Sequence, residues 1–480
     1  MNAPRPVLNI APPVADEPLS RRDFLRTASV AGASVALPGS LRAATARADW
    51  TSIASTVPPA ERVVLGAVGV GGVGFSQLKE LQRAGFDIAA LCDVDEVYAK
   101  KAFDFWPQAR RYRDFREMLE KEDQRIRAVY VGTPDHTHAI VTLAALRKGK
   151  HVCCVKPLTR TIEECRAVVA EAVRAGVATQ VTASPNTSEA ACRTCELIQA
   201  GAIGDVREVH IWSDRPLWPQ GMQRPAGEDP VPGTFDWNLW LGPAAKRPFK
   251  ARWADDDAAV HHVKLPAGRK PGQRGVYHPW NFRGWWDFGT GALGDMGCHF
   301  FNTPFRALQL DHPVRIQASS TKVTAETAPL ASCVTYDFPA RGERPPVRLV
   351  WYDGGLQPPP PAGIGDRPMP TDGVLYLGSR GAMLGPKILE PTLAAKFESL
   401  PRTLPRRGGV WEEFHQACRG GERAGCHFEW AALLTEAVLL GNIAIRTGKP
   451  LAWDARAGRF TNEEAANPYL RASFQNGWTL

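Results

Sequence analysis

The chain has 480 residues, of which 44% are hydrophobic and 22% charged, and its formal net charge is +8. This length calls for at least two domains, and the composition excludes a chain disordered throughout. No uncharged apolar run reaches the 18 or so residues of a spanning helix, and no lysine/arginine block is dense enough for a nucleic-acid footprint, so no nucleic-acid partner is expected.

The chain opens on an address. Ser20-Arg21-Arg22-Asp23-Phe24-Leu25-Arg26 reads as a twin-arginine export motif, a small-residue apolar stretch covers 27–41, and Ala46-Arg47-Ala48 offers a cleavage site. Residues 1–48 are therefore expected to be a signal peptide and 49–61 a linker. The export machinery is then a partner and the periplasm the destination. This route carries proteins already folded, which suits one loaded with a cofactor before export. Ten cysteines follow. Cys92, Cys153 and Cys154 sit in apparent core strands and Cys165 in a helix, so buried free thiols are expected rather than disulfides. Cys192 and Cys195 have CxxC spacing within a helical pattern and lack a second pair, so no metal is expected.

An apolar β-branched run at 62–70 leads into Gly69-Val70-Gly71-Gly72-Val73-Gly74 and then a helical pattern at 75–84. A second apolar run, 88–92, ends at Asp93. This βαβ pattern carries a dinucleotide fingerprint. Gly69 permits the tight turn, Gly71 a close approach to a pyrophosphate, and Gly74 close packing of helix on strand, with Gly72 and Val73 leading into the helix. Asp93 stands where a carboxylate accepts bonds from an adenosine ribose and repels a 2′-phosphate, which favours NAD over NADP. The alternation continues with a helix at 116–121, a strand at 128–132, a loop at Thr133-Pro134-Asp135-His136-Thr137-His138, a helix at 139–148, a strand at 151–155, a helix at 162–175 and a strand at 178–182. Thr133, Pro134 and His138 are expected to shape the cofactor loop, and Lys156 follows a strand end of the same sheet.

These motifs, with GKHVCCVKPLT at 149–159, WNLWLGPAAKRP at 237–248, GTGALGDMGCHFF at 289–301 and TEAVLLGNIAIRTGKPLAWD at 435–454, resemble the glucose–fructose oxidoreductase/inositol dehydrogenase/rhizopine-catabolism superfamily. The resemblance implies an α/β fold. A doubly wound Rossmann domain, 62–185, precedes an α+β domain, 186–460, built on an open, largely antiparallel sheet, with a tail at 461–480. Such sheets often carry the oligomer interface, so a homo-oligomer is expected. It further implies a catalytic trio of Lys156, Asp295 and His299, with Lys156 also touching the cofactor and all three the substrate. Two positions depart from the family pattern: Val155 replaces the glutamate before the lysine, and Asn302 replaces an acid three residues after the histidine. In such a trio a histidine can act as base, and a lysine can stabilise charge developing on the reacting oxygen.

Eight of the fifteen tryptophans fall between 212 and 286. Indole rings stack on the CH faces of sugars, so 277–286 is expected to wall the substrate pocket, with Tyr277, Arg283 and Trp285 as contacts, unless these tryptophans only anchor a long insertion. The proline- and glycine-rich run 356–373 reads as a loop, and 431–445 as an amphipathic helix. The leading functional expectation is an exported NAD-dependent oxidoreductase acting on a sugar, glycoside or cyclic polyol, with tightly held cofactor. An NAD-dependent glycoside hydrolase working by transient oxidation, and a non-catalytic sugar- or nucleotide-binding protein, are the alternatives.

Overall fold

A computed structural model describes residues 57–254, 257 and 275–480; the expected signal peptide lies outside the described residues. In chain order the first elements are β1 (Val63–Val68), α1 (Val73–Ala84), β2 (Phe86–Cys92), α2 (Glu96–Phe105), β3 (Arg110–Tyr112), α3 (Phe115–Lys121), β4 (Ala128–Val131), α4 (Asp135–Arg147), β5 (His151–Cys154), α5 (Ile162–Ala175) and β6 (Thr179–Val181). The six strands form one parallel sheet in the order β3-β2-β1-β4-β5-β6. Helices cover both faces, so strands such as β4 are buried at every residue. The order reverses between β1 and β4, and the carboxyl ends of those strands open a crevice. Helix α5 keeps the expected limits because both ends are signalled: Thr161 and Glu164 form a capping box, and Gly176 closes the helix in the left-handed region. Helix α4 starts four residues earlier than expected. Asp135–His138, read as loop, are its first turn, with Asp135 favourably placed at the positive end of the helix.

The remainder builds α6 (Glu189–Gln199), β7 (Val206–Trp212), α7 (Trp237–Leu241), α8 (Gly291–Leu308), β8 (Arg315–Ser320), β9 (Ser332–Phe338), β10 (Val347–Tyr352), β11 (Gly373–Gly378), β12 (Ala382–Leu384), β13 (Lys387–Ile388), a helix α9 (Phe428–Thr447), β14 (Leu451–Asp454) and β15 (Arg459–Phe460). The second sheet runs β13-β12-β11-β7-β10-β9-β8-β14-β15 and is antiparallel except where β7 meets β10. Along β9 burial alternates residue by residue, the signature of a sheet with one covered face. Helices α8 and α9 pack on each other and on the sheet. Their close approach depends on Gly297, where a Cβ would lie 2.6 Å from Val438 Cγ1. Arg166 of α5 joins this layer to the first sheet: Nε and Nη2 each donate to Glu436 of α9 at 2.9 Å. Residues between β10 and β11 form an irregular loop, as expected. All ten cysteines are free thiols and eight are buried.

Candidate active site

A cavity of about 440 Å³ runs from the glycine turn after β1, past the ends of β2, β4 and β5, to α8. Gly69, Gly71, Val73, Gly74 and Asp93 line one end, Lys156, Asp295 and His299 the other, and Thr133 and Pro134 lie between.

Gly69 has φ +79°, and a Cβ there would sit 2.6 Å from the Gly132 backbone. At Gly74 a Cβ would sit 2.2 Å from the Gly69 carbonyl oxygen, so this glycine lets α1 begin directly behind the turn. The helix is capped by Gly72, which brings no side-chain cap; the Gly74 N–H turns back to the Gly71 carbonyl at 2.9 Å, and the positive end of the helix, at Val73 and Gly74, lines the cavity and favours an anion there. One detail differs from expectation. The Cβ directions of Gly71 and Gly72 point at the Tyr98 ring, at 2.2 Å from Cδ1 and 1.9 Å from the hydroxyl oxygen, so these glycines make room for Tyr98.

Asp93 faces the cavity and also holds the turn: Oδ2 accepts from the N–H of Val70 at 2.9 Å and of Gly71 at 3.2 Å. Burial pushes its carboxyl up from the ordinary value, against the hydrogen bonds it receives. Arg113 lines the same end, paired with Glu96. Thr133 Oγ1 is buried without a hydrogen-bond partner beside the cavity. The uncapped helix, the close glycine turn and this orphaned hydroxyl fit a dinucleotide laid along the cavity.

His138 does not line the cavity. It is fully buried in α4, with Nδ1 at 2.8 Å from the Pro157 carbonyl and Nε2 at 2.8 Å from the Thr133 carbonyl. It therefore ties the Thr133 turn to the Lys156 turn instead of meeting a cofactor directly. Burial opposes a charge there, but nearby Cys154 and Asp135 and the facing carbonyls outweigh it and push the imidazole up to about 9.

At the far end Lys156 Nζ donates to Asp295 Oδ1 and to the Asp295 carbonyl, both at 2.6 Å. Arg283 Nε donates to the same Oδ1 at 2.9 Å. Burial would raise the Asp295 carboxyl, but Lys156 and Arg283 hold it well below the usual range. His299 stands one turn further along α8 in the same cavity, and its Nδ1 lies 3.3 Å from Ser184 Oγ. Burial, reinforced by Lys156 and Arg215, lowers its pKa to about 3, so the ring is neutral at neutral pH. Asn302 donates to the Ser184 carbonyl at 2.6 Å and accepts from Trp430 Nε1 at 2.7 Å, so it holds the loop that faces the histidine.

The aromatic segment divides. Tyr277 and Trp285, expected at the substrate, are buried in a cluster with Phe235, Trp237, Trp253 and Phe288, away from the cavity. His278, Trp280, Phe282 and Arg283 line it instead, and the Arg283 guanidinium lies 4.3 Å from the Trp280 ring centroid. Ser184, Arg215, Arg113 and Tyr98 were not anticipated. Ser184 and Arg113 follow the carboxyl ends of β6 and β3, the one sequence signal that marks them.

Comparison with known proteins places these elements. Residues 63–183 match the model of an oxidoreductase family's NAD-binding Rossmann fold, 261–339 that of the family's C-terminal alpha/beta domain, and 18–38 that of the twin-arginine signal sequence. An inositol 2-dehydrogenase of Salmonella paratyphi B is 29% identical over 149 residues, 30% of this chain and 44% of that protein. A glycosyl hydrolase family 109 protein of Shewanella baltica is 26% identical over 205 residues, 39% of this chain and 44% of its own. The chain thus spans less than half the length of these curated relatives. An inositol dehydrogenase homolog of Azotobacter vinelandii, solved with NADH and myo-inositol, shares the fold at TM-score 0.52 and 17% identity, over 82% of this chain and 98% of that one.

Proposed function

We propose, for a chain that belongs to the glucose–fructose oxidoreductase/inositol dehydrogenase/rhizopine-catabolism family and carries a twin-arginine signal, an exported NAD-dependent oxidoreductase that oxidises a hydroxyl of a sugar, glycoside or cyclic polyol. The observation that supports it is the single cavity joining the glycine turn to Lys156, Asp295 and His299. The dinucleotide would rest on the turn, the amino end of α1 and the Thr133 hydroxyl, and it supplies the hydride acceptor. Two of the three N–H donors of Lys156 are engaged by Asp295, and the third is left for the reacting oxygen. Neutral His299 takes the hydroxyl proton. Asp295 acts through Lys156 and Arg283, whose direction it fixes. Among the described residues its hydrogen bonds go to those two cations, not to the imidazole.

Asp93 favours NAD over its 2′-phosphorylated form, since the carboxylate would face that phosphate. Because free nicotinamide nucleotide is scarce outside the cytoplasm, the cofactor stays bound, is reduced by the first sugar or polyol and is reoxidised within one cycle by passing the hydride to the carbonyl of a second sugar, which leaves as the alcohol. The test is to extract nucleotide from the purified protein and mix the NAD-loaded protein with a panel of sugars and cyclic polyols. Reduced nicotinamide absorbance with at least one of them is expected; nucleotide-free protein that binds no NAD overturns the proposal.

The relative from the glycosyl hydrolase family supports a second reading, in which transient oxidation leads to loss of the glycosidic oxygen and net hydrolysis. Release of phenol from an aryl glycoside without net reduced cofactor would favour it. Oxidised sugar without phenol would exclude it.

A further inference from the structure

The cofactor cavity is lined at its Asp93 end by Tyr98, Arg113 and Phe115, which follow β2 and β3, and also by Trp478, more than 350 residues further along the chain. The indole is stacked on Phe115, with ring centroids 5.7 Å apart and planes 22° apart. The Arg116 guanidinium lies 4.5 Å from its centroid. Trp478 thus adds aromatic surface to the part of the cavity where Asp93 would meet the ribose.

The segment carrying it is held by specific bonds. Asn476 takes a left-handed φ of +58°, and its Nδ2 donates to the carbonyls of Gly242 and Ala244, both at 2.9 Å. Gln475 N donates to the Pro243 carbonyl at 3.0 Å, and Trp478 N to the Gln475 carbonyl at 3.1 Å. The turn at 242–244 follows α7, whose Leu239 and Trp240 line the same cavity. The strap is thus fastened to one wall of the cavity and ends on the other, yet its indole stays only half-buried.

We propose that Trp478 closes the adenosine end of the cofactor cavity and slows exchange of the bound dinucleotide. This rests on the proposed function and goes beyond it, by naming the device that retains the cofactor. A half-buried indole at the rim gains contact with an adenine edge or face, and the bonds of Asn476 set its position in advance, so little ordering is left for binding. Departure of the nucleotide then requires the strap to lift.

The test uses the full mature chain loaded with NADH, diluted into excess NAD, with loss of NADH fluorescence giving the off-rate. The Trp478→Ala variant is expected to release NADH about 10- to 100-fold faster, the span of losing one aromatic–base contact, and Trp478→Phe to fall between the two. Asn476→Ala, which unfastens the strap and keeps the indole, is expected to quicken release by a smaller factor. Off-rates within twofold of the parent in both Trp478 variants overturn the proposal, while a parent protein that binds no NADH overturns instead the function on which it rests.

Discussion

Lys156 is the side chain on which the proposed chemistry turns, because its ammonium meets Asp295 twice and lines the cavity. Replacing it with Met is expected to lower kcat/KM by about 10²–10³-fold, as loss of one donor at a developing oxyanion does, with NAD still bound in equilibrium dialysis. His299 carries a pH prediction. A histidine of ordinary pKa would lose its base function near pH 6.5, whereas one lowered to about 3 stays neutral, so the hydride-transfer rate should show no His299 limb between pH 7 and pH 5. The same shift bears on stability. His299 and His136 are both lowered to about 3 in the folded chain, so the unfolded chain binds more protons below pH 6.5 and stability falls as pH drops from 6.5 toward 3. His138 works in the opposite sense. Raised to about 9, it contributes stability fully below pH 6.5 and loses it as pH rises through 9. Denaturant unfolding at pH 6.5 and 9 should show the parent losing about 3 kcal/mol more than His138→Gln over that interval; an equal loss in both would refute the charged, doubly bonded imidazole.

Among the elements, the β1–α1 turn tolerates least change. A methyl at Gly74 would meet the Gly69 carbonyl at 2.2 Å, so Gly74→Ala is expected to cost about 1–3 kcal/mol by overpacking and to abolish measurable NAD binding by calorimetry. Arg166→Ala should cost about 3 kcal/mol, because Glu436 is buried and would lose its bidentate partner; thermal unfolding reads it. These two elements show what the sequence discloses and what it hides. The glycine turn was legible because Gly69 and Gly74 answer to backbone geometry, which spacing displays. Helix α5 was legible to the residue because Thr161, Glu164 and Gly176 mark its ends. The first turn of α4 was hidden, since Thr133-Pro134 reads equally as loop or as helix entry. Tyr277 and Trp285 were misplaced for a different reason: an aromatic run shows no period that separates a pocket wall from a core, and only tertiary packing assigns them to the cluster around Trp237. Asn302 looked like a lost acid, yet it holds the loop of Ser184, a relation carried by residues 118 positions apart.

For the whole molecule, the cavity at the carboxyl ends of the first sheet brings residues scattered from Gly69 to His299 to one lining. The twin-arginine signal gives this arrangement its setting, because a cofactor bound within such a cavity can be carried out with the folded chain. The second sheet leaves one face with alternating part-exposed residues along β9, and we propose that copies of the chain assemble through it; sedimentation of the mature protein as a single monomeric species would rule this out.

The most direct test of the central claim is a crystal structure with NADH bound. The pyrophosphate is expected at the amino end of α1 and nicotinamide C4 within about 5 Å of Lys156 Nζ, one reacting oxygen away, with His299 on the same side. A nicotinamide ring lodged away from Lys156 and His299, or a dinucleotide bound outside the glycine turn, would contradict it.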